Sequence, residues 1–95
     1  MRNYETMFIL RPELDDEKTA EAMEKYSNLI QTNGGEVLSI DKWGKRRLAY
    51  EIDKIREGIY ILCKFKANPE LPLELERVFK ISDEVIRFLV VRNDA

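Results

Sequence analysis

Residues 85–92 read VIRFLVVR. Side chains of an extended chain alternate between two faces, so Ile86, Phe88 and Val90 share one side while Arg87, Leu89 and Val91 share the other. Burying a lone arginine is costly, and this turns the Arg87 set away from any core. Leu89 and Val91 turn outward with it. The segment therefore predicts a sheet covered on one face only, whose open face is nonetheless apolar.

The same parity test carries to two other segments. In IYILCKF (residues 59–65), Ile59, Ile61, Cys63 and Phe65 share a face, and Lys64 and Lys66 send Tyr60 and Leu62 outward. RNYETMFILR (residues 2–11) is rich in strand formers and is ended by Pro12; Glu5 places Met7 and Ile9 outward. A further strand starts near Glu36 with Val37, Leu38 and Ile40 and runs past Trp43, where Gly44 marks a bulge or a close backbone approach. The charged stretch 51–57, ending at Gly58, reads as the exposed tip of a long hairpin.

Two helical patterns separate these strands. Ala20, Met23, Tyr26 and Ile30 recur at helical spacing over residues 16–32, with Asp15 or Asp16 able to accept the first free amides and Asn33-Gly34-Gly35 supplying a left-handed stop. Asn68-Pro69 breaks the preceding strand, and Pro72 suits the first turn of a second helix over residues 71–81. Its inner stripe is Leu71, Leu75, Val78 and Phe79, and Ser82-Asp83 makes the turn into the last strand.

The order strand, helix, strand, strand, helix, strand specifies an α+β, ferredoxin-like βαββαβ sandwich. Right-handed crossovers place both helices on one face of a four-stranded antiparallel sheet ordered 4-1-3-2. A chain of 95 residues fits a single domain, residues 1–95. The closing residues 93–95 are too few to cover much of the open face.

Composition narrows the chemistry. There is no histidine, and the single cysteine, Cys63, sits in an apolar run and reads as a small buried hydrophobe in a reducing cytoplasm. Neither a zinc site nor a Cys-His nucleophile can be assembled from that set, and no cofactor, metal or small-molecule substrate is expected. Asp15-Asp16 is explained by capping before acid-base work, and Gly34-Gly35 follows a helix instead of opening one, so no phosphate loop is present. No apolar run reaches the roughly 20 residues of a membrane span.

The net charge of −2 conceals an asymmetry: residues 13–36 hold seven acids against two lysines, and residues 42–66 hold eight bases against three acids. Screening confines charge effects to about 10 Å, so local patches act independently of the total. Lys45-Arg46-Arg47 reads equally as a solvated edge and as an RNA contact. Trp43 and Tyr50 read as core or hairpin anchors, or as aromatic platforms beside those cations. The outward set Met7, Ile9, Tyr60, Leu62, Leu89 and Val91 reads as a partner surface, or as a strip covered by a loop.

GKRRLAYEI (residues 44–52) resembles the signature of the bacterial small-subunit ribosomal protein six family, and RNYETMFILRPEL and VIRFLVVR are similar to that family's first and last strands. One departure is Glu51, where many members carry proline after the tyrosine. The resemblance implies a non-enzymatic protein of the cytoplasmic ribosome that binds the central domain of small-subunit rRNA together with ribosomal protein eighteen, a small basic protein. It also implies Arg2, Tyr4, Arg46, Arg47, Arg87 and Arg92 as rRNA contacts, with Trp43 and Tyr50 facing the partner protein or packing locally. A solitary RNA-recognition-type domain is the main alternative, but REGIYILCKF lacks the alternating aromatics that such a domain stacks on bases. A ferredoxin-like regulatory domain for a small ligand is the other alternative.

Overall fold

The sheet comprises β1 (Arg2–Leu10), β2 (Glu36–Ile52), β3 (Ile55–Ala67) and β4 (Val85–Arg92), with α1 (Asp16–Thr32) following β1 and α2 (Glu70–Ile81) following β3. The computed structural model describes residues 1–93; Asp94 and Ala95, whose covering role was expected to be slight, lie outside the described residues. Every strand pair is antiparallel and the order is β2-β3-β1-β4, the 4-1-3-2 arrangement read from the other edge.

Local chemistry accounts for the helix limits. Asp15 stands at the N-cap of α1, where its Oδ1 accepts the Lys18 amide at 2.8 Å. At the other end Gly34 adopts φ +85°, and the Gly34 and Gly35 amides donate to Gln31 and Ile30 carbonyls at 3.0 and 2.8 Å, satisfying two carbonyls that the helix leaves open. A Cβ on Gly35 would stand 2.8 Å from Ile30 Cγ2 and 3.0 Å from the Lys66 carbonyl, so glycine also permits the close approach of this turn to β3.

The core joins one sheet face to both helices. Phe8, Leu10, Ile61 and Phe65 meet Tyr26 and Ile30 of α1 and Leu75 and Phe79 of α2. The Phe8 ring centroid lies 5.1 Å from Tyr26 and 5.0 Å from Phe79, within the range of favourable aromatic pairing. Cys63 is buried here, and loss of hydration pushes its thiol up to about 12, consistent with a packing role.

Two expectations need correction. Ala20 is exposed, and α1 turns Thr19 and Ala22 inward instead; the Thr19 hydroxyl donates to the Asp15 carbonyl at 2.8 Å, which removes the cost of burying it. In β4 the pairing slips between Ile9 and Leu10, so Arg87 stands opposite Ile9 while Val85 stands opposite Leu10. The bulge puts Val85 with Phe88 and Val90 against the core and leaves Ile86 out of it.

Glu84 ties the start of β4 to α1. Its Oε1 accepts from the Tyr26 hydroxyl at 3.0 Å and from Lys25 Nζ at 3.1 Å. Partial burial favours the protonated acid, but hydrogen bonds from its own backbone amide, Lys25 and Tyr26 outweigh that and hold the carboxyl below its usual range. Tyr26 moves the other way: burial raises it, Ser82 opposes that, and Glu84 reinforces it.

Candidate nucleic-acid interface and partner face

The open face is ordered in rows across three strands. Tyr60, Ile9 and Arg87 lie side by side, then Leu62, Met7 and Leu89, then Lys64, Glu5 and Val91. Cross-strand neighbours share a face, so the outward parity expected for Met7, Tyr60, Leu62, Leu89 and Val91 holds. Leu89 is 61% exposed. A shallow hollow of about 170 Å³ is lined by Met7, Ile9, Arg87, Phe88 and Leu89.

Ile9 faces the same way but is only 7% exposed, so it offers little contact surface, contrary to expectation. The cause is Gly58: a Cβ there would stand 2.3 Å from Ile9 Cγ2 and 3.5 Å from Ile86 Cδ1. The space a side chain would take is filled by those two isoleucines. Leu48 is likewise buried without belonging to the core.

The exposed, charged hairpin tip expected over residues 51–57 is present, with a tight turn. Strand pairing continues to Ile52 and resumes at Ile55, and the turn is only Asp53-Lys54, with φ of 48° and 67°. Two left-handed residues are the geometry that matches the twist of paired strands. Register shifts flank Leu38 and Trp43, and Gly44 takes φ +87° beside the second. The bulge expected at Gly44 is therefore present, and such bulges add twist to a ribbon.

That twist carries the tip to the far edge of the sheet. Arg87 Nη1 donates to the Tyr50 hydroxyl, and the guanidinium lies 5.0 Å from the Tyr50 ring centroid, although Arg87 belongs to β4 and Tyr50 to β2. Tyr50 is 58% exposed and Trp43 45%, so neither is a core anchor. Trp43 instead lies under Arg46, 5.3 Å from guanidinium to ring.

The candidate cations occupy three places. Arg46 lies opposite Gly58 and so shares the open face with Arg87, whereas Arg47 lies opposite Glu57 and points to the other side. Arg2 stands opposite Ala67 and Arg92 opposite Tyr4, at the end of the sheet away from the hairpin. Lys42 is paired with Asp16 at 3.5 Å, and Lys45 shares a hollow with Asp15 and Asp16. The acids of α1 thus offset part of the basic segment on the helix side and none of the Arg46 side.

Tyr4 requires correction. Its side chain is 8% exposed and its ring lies 5.6 Å from Phe65, so it packs in the core instead of stacking on a base. The outward parity of Glu5 and Met7 already implied this, because Tyr4 must then point inward. On the open face of β1 and β3 the one aromatic is Tyr60, which lacks the companion that an RNA-recognition domain uses for stacking.

These features define a class: a split βαβ sandwich that presents an apolar sheet face with arginines at one end. The sequence profile of the family "Ribosomal protein S6" matches residues 3–92. The small ribosomal subunit protein bS6 of Clostridium novyi is 60% identical over 94 residues, covering 99% of each chain, and that of Desulforamulus reducens is 53% identical over 93 residues, covering 98% of each. The crystal structure of 30S ribosomal protein S6 from Thermotoga maritima superposes with a TM-score of 0.91 at 31% identity, over 97% of this chain and 87% of that one. The chain belongs to the ribosomal protein S6 family, whose members are structural, non-enzymatic proteins of the small subunit of the bacterial cytoplasmic ribosome.

Proposed function

We propose that this chain is a structural component of the small ribosomal subunit that binds the central domain of small-subunit rRNA as one half of a heterodimer with ribosomal protein eighteen. The observation that carries this reading is the pairing on one surface of an uncovered apolar belt, Met7, Tyr60, Leu62, Leu89 and Val91, with two arginines at its hairpin end. An apolar belt of this kind calls for a protein partner, whereas guanidinium groups suit phosphate oxygens. Arg46 and Arg87 contact rRNA from the open face, Arg47 from the opposite side of the hairpin, and Arg2 and Arg92 from the far end. A basic partner supplies the positive charge that an acidic protein lacks.

Binding to a transcript of the rRNA central domain, measured with and without the partner across a salt series, tests this. Tight binding only with the partner, with a steep salt slope, is expected. Absence of binding in both conditions removes the proposal.

A further inference from the structure

Trp43 and Tyr50 share an arrangement that core packing does not explain. Each is a large, solvent-exposed aromatic with an arginine guanidinium over its ring, Arg46 at 5.3 Å and Arg87 at 5.0 Å. In the second pair the arginine also donates to the tyrosine hydroxyl, joining strands at opposite edges of the sheet. A guanidinium held beside a ring keeps N–H groups that the ring does not engage, and two such groups can make parallel bonds to a phosphate. A free arginine side chain has rotamer freedom, part of which is lost on binding. Stacking removes that loss in advance.

We infer that Trp43 and Tyr50 are positioning residues, which hold Arg46 and Arg87 as preformed clamps for the phosphates of the RNA backbone and do not themselves contact RNA bases or the partner protein. This rests on the rRNA-binding reading above. Tyr50 has the larger role, because it fixes a hairpin tip and an edge strand at once. The tip would otherwise be a free two-stranded ribbon, which is marginally stable alone. Holding it against β4 also sets the spacing of the two clamps.

The test is a double-mutant cycle between Tyr50→Leu and Arg87→Gln, read as affinity and salt slope on the rRNA central-domain transcript with the partner present. Arg87→Gln is expected to weaken binding and to reduce the salt slope by up to about one phosphate equivalent. Tyr50→Leu is expected to weaken binding about fivefold where Arg87 is present and less than twofold in the Arg87→Gln background, while Tyr50→Phe, which keeps the ring, retains most of the affinity. In the free protein, the ring-current shift of the Arg87 side-chain protons should vanish in Tyr50→Leu and persist in Tyr50→Phe. Equal losses in both backgrounds, or none in either, overturn the positioning role and return Tyr50 to direct contact or to no role. An Arg87→Gln variant with unchanged slope overturns the clamp while wild-type binding preserves the rRNA reading; failure of wild type to bind with the partner removes both. Trp43→Leu against Arg46→Gln repeats the cycle at the second pair, with the fluorescence of the chain's single tryptophan reporting loss of the Arg46 contact in Arg46→Gln.

Discussion

The two faces of one sheet both carry apolar side chains and meet opposite fates. Beneath the helices, Phe8, Ile61 and Phe65 are almost wholly buried; on the other side, Met7, Leu62, Leu89 and Val91 are interspersed with Glu5, Lys64 and Arg87 and stay at least partly exposed. Hydrophobicity alone does not choose the covered face. Interspersed charge does, because covering it would strand ions away from water, whereas leaving a few leucines exposed costs little.

Truncation should separate the faces most sharply. Phe8→Ala is expected to cost about 3–5 kcal/mol in chemical denaturation, since it opens a cavity against the Tyr26 and Phe79 rings. A loss under 1 kcal/mol would mean that the helix layer repacks freely and that the contrast is overstated. Gly58→Ala tests a close-packed spot on the open side: with Ile9 Cγ2 only 2.3 Å from the new Cβ, overpacking should cost about 1–3 kcal/mol. A neutral result would show that Ile9 shifts easily away from Gly58.

The seam between α1 and β4 responds to pH. Glu84 is held below its usual range, so its contribution is present above the unfolded value of about 4.3 and is lost as pH falls through the folded value. Glu84→Gln should therefore flatten the acid limb of stability below about pH 5, and an unchanged limb would place the acid sensitivity elsewhere. Tyr26 is raised, so its contribution is present below the unfolded value of about 10 and declines above it; Tyr26→Phe should remove that alkaline decline. The smallest expected effect on stability is Leu89→Ser, within about 0.5 kcal/mol, since that side chain is already largely in water. The same variant should weaken heterodimer formation, measured by calorimetry with the partner, and unaltered affinity would detach Leu89 from the interface.

Much of the fold was legible because its signals are local. Asp15 and Asn33-Gly34-Gly35 mark both ends of α1 without reference to anything distant, and Glu5, Lys64 and Arg87 orient three strands by parity alone. What escaped depends on distant neighbours. Ala20 and Ala22 fit a helical stripe almost equally well, and only the packing against the sheet chooses between them. The slip between Ile9 and Leu10, which displaces Ile86, has no counterpart in residue type. The site was read less well than the fold: Arg46 and Arg87 were recognisable as cations, but their aromatic supports come together only through the twist of the hairpin.

The placement of β1 between β3 and β4 has a consequence for the order of assembly. Thr6 Oγ1 bonds the Leu89 carbonyl at 2.9 Å, and the Asn93 amide bonds the Asn3 carbonyl at 2.8 Å, so the first strand synthesised must wait for the last before its second side is paired. Until then β1 presents a row of open backbone groups beside a finished β2-β3 ribbon, the kind of edge to which another strand adds. Contacts of such long sequence separation form slowly. A nascent chain stalled before residue 85 is thus the species most exposed to pairing with a second copy, and the emergence of β4 is what closes the sheet.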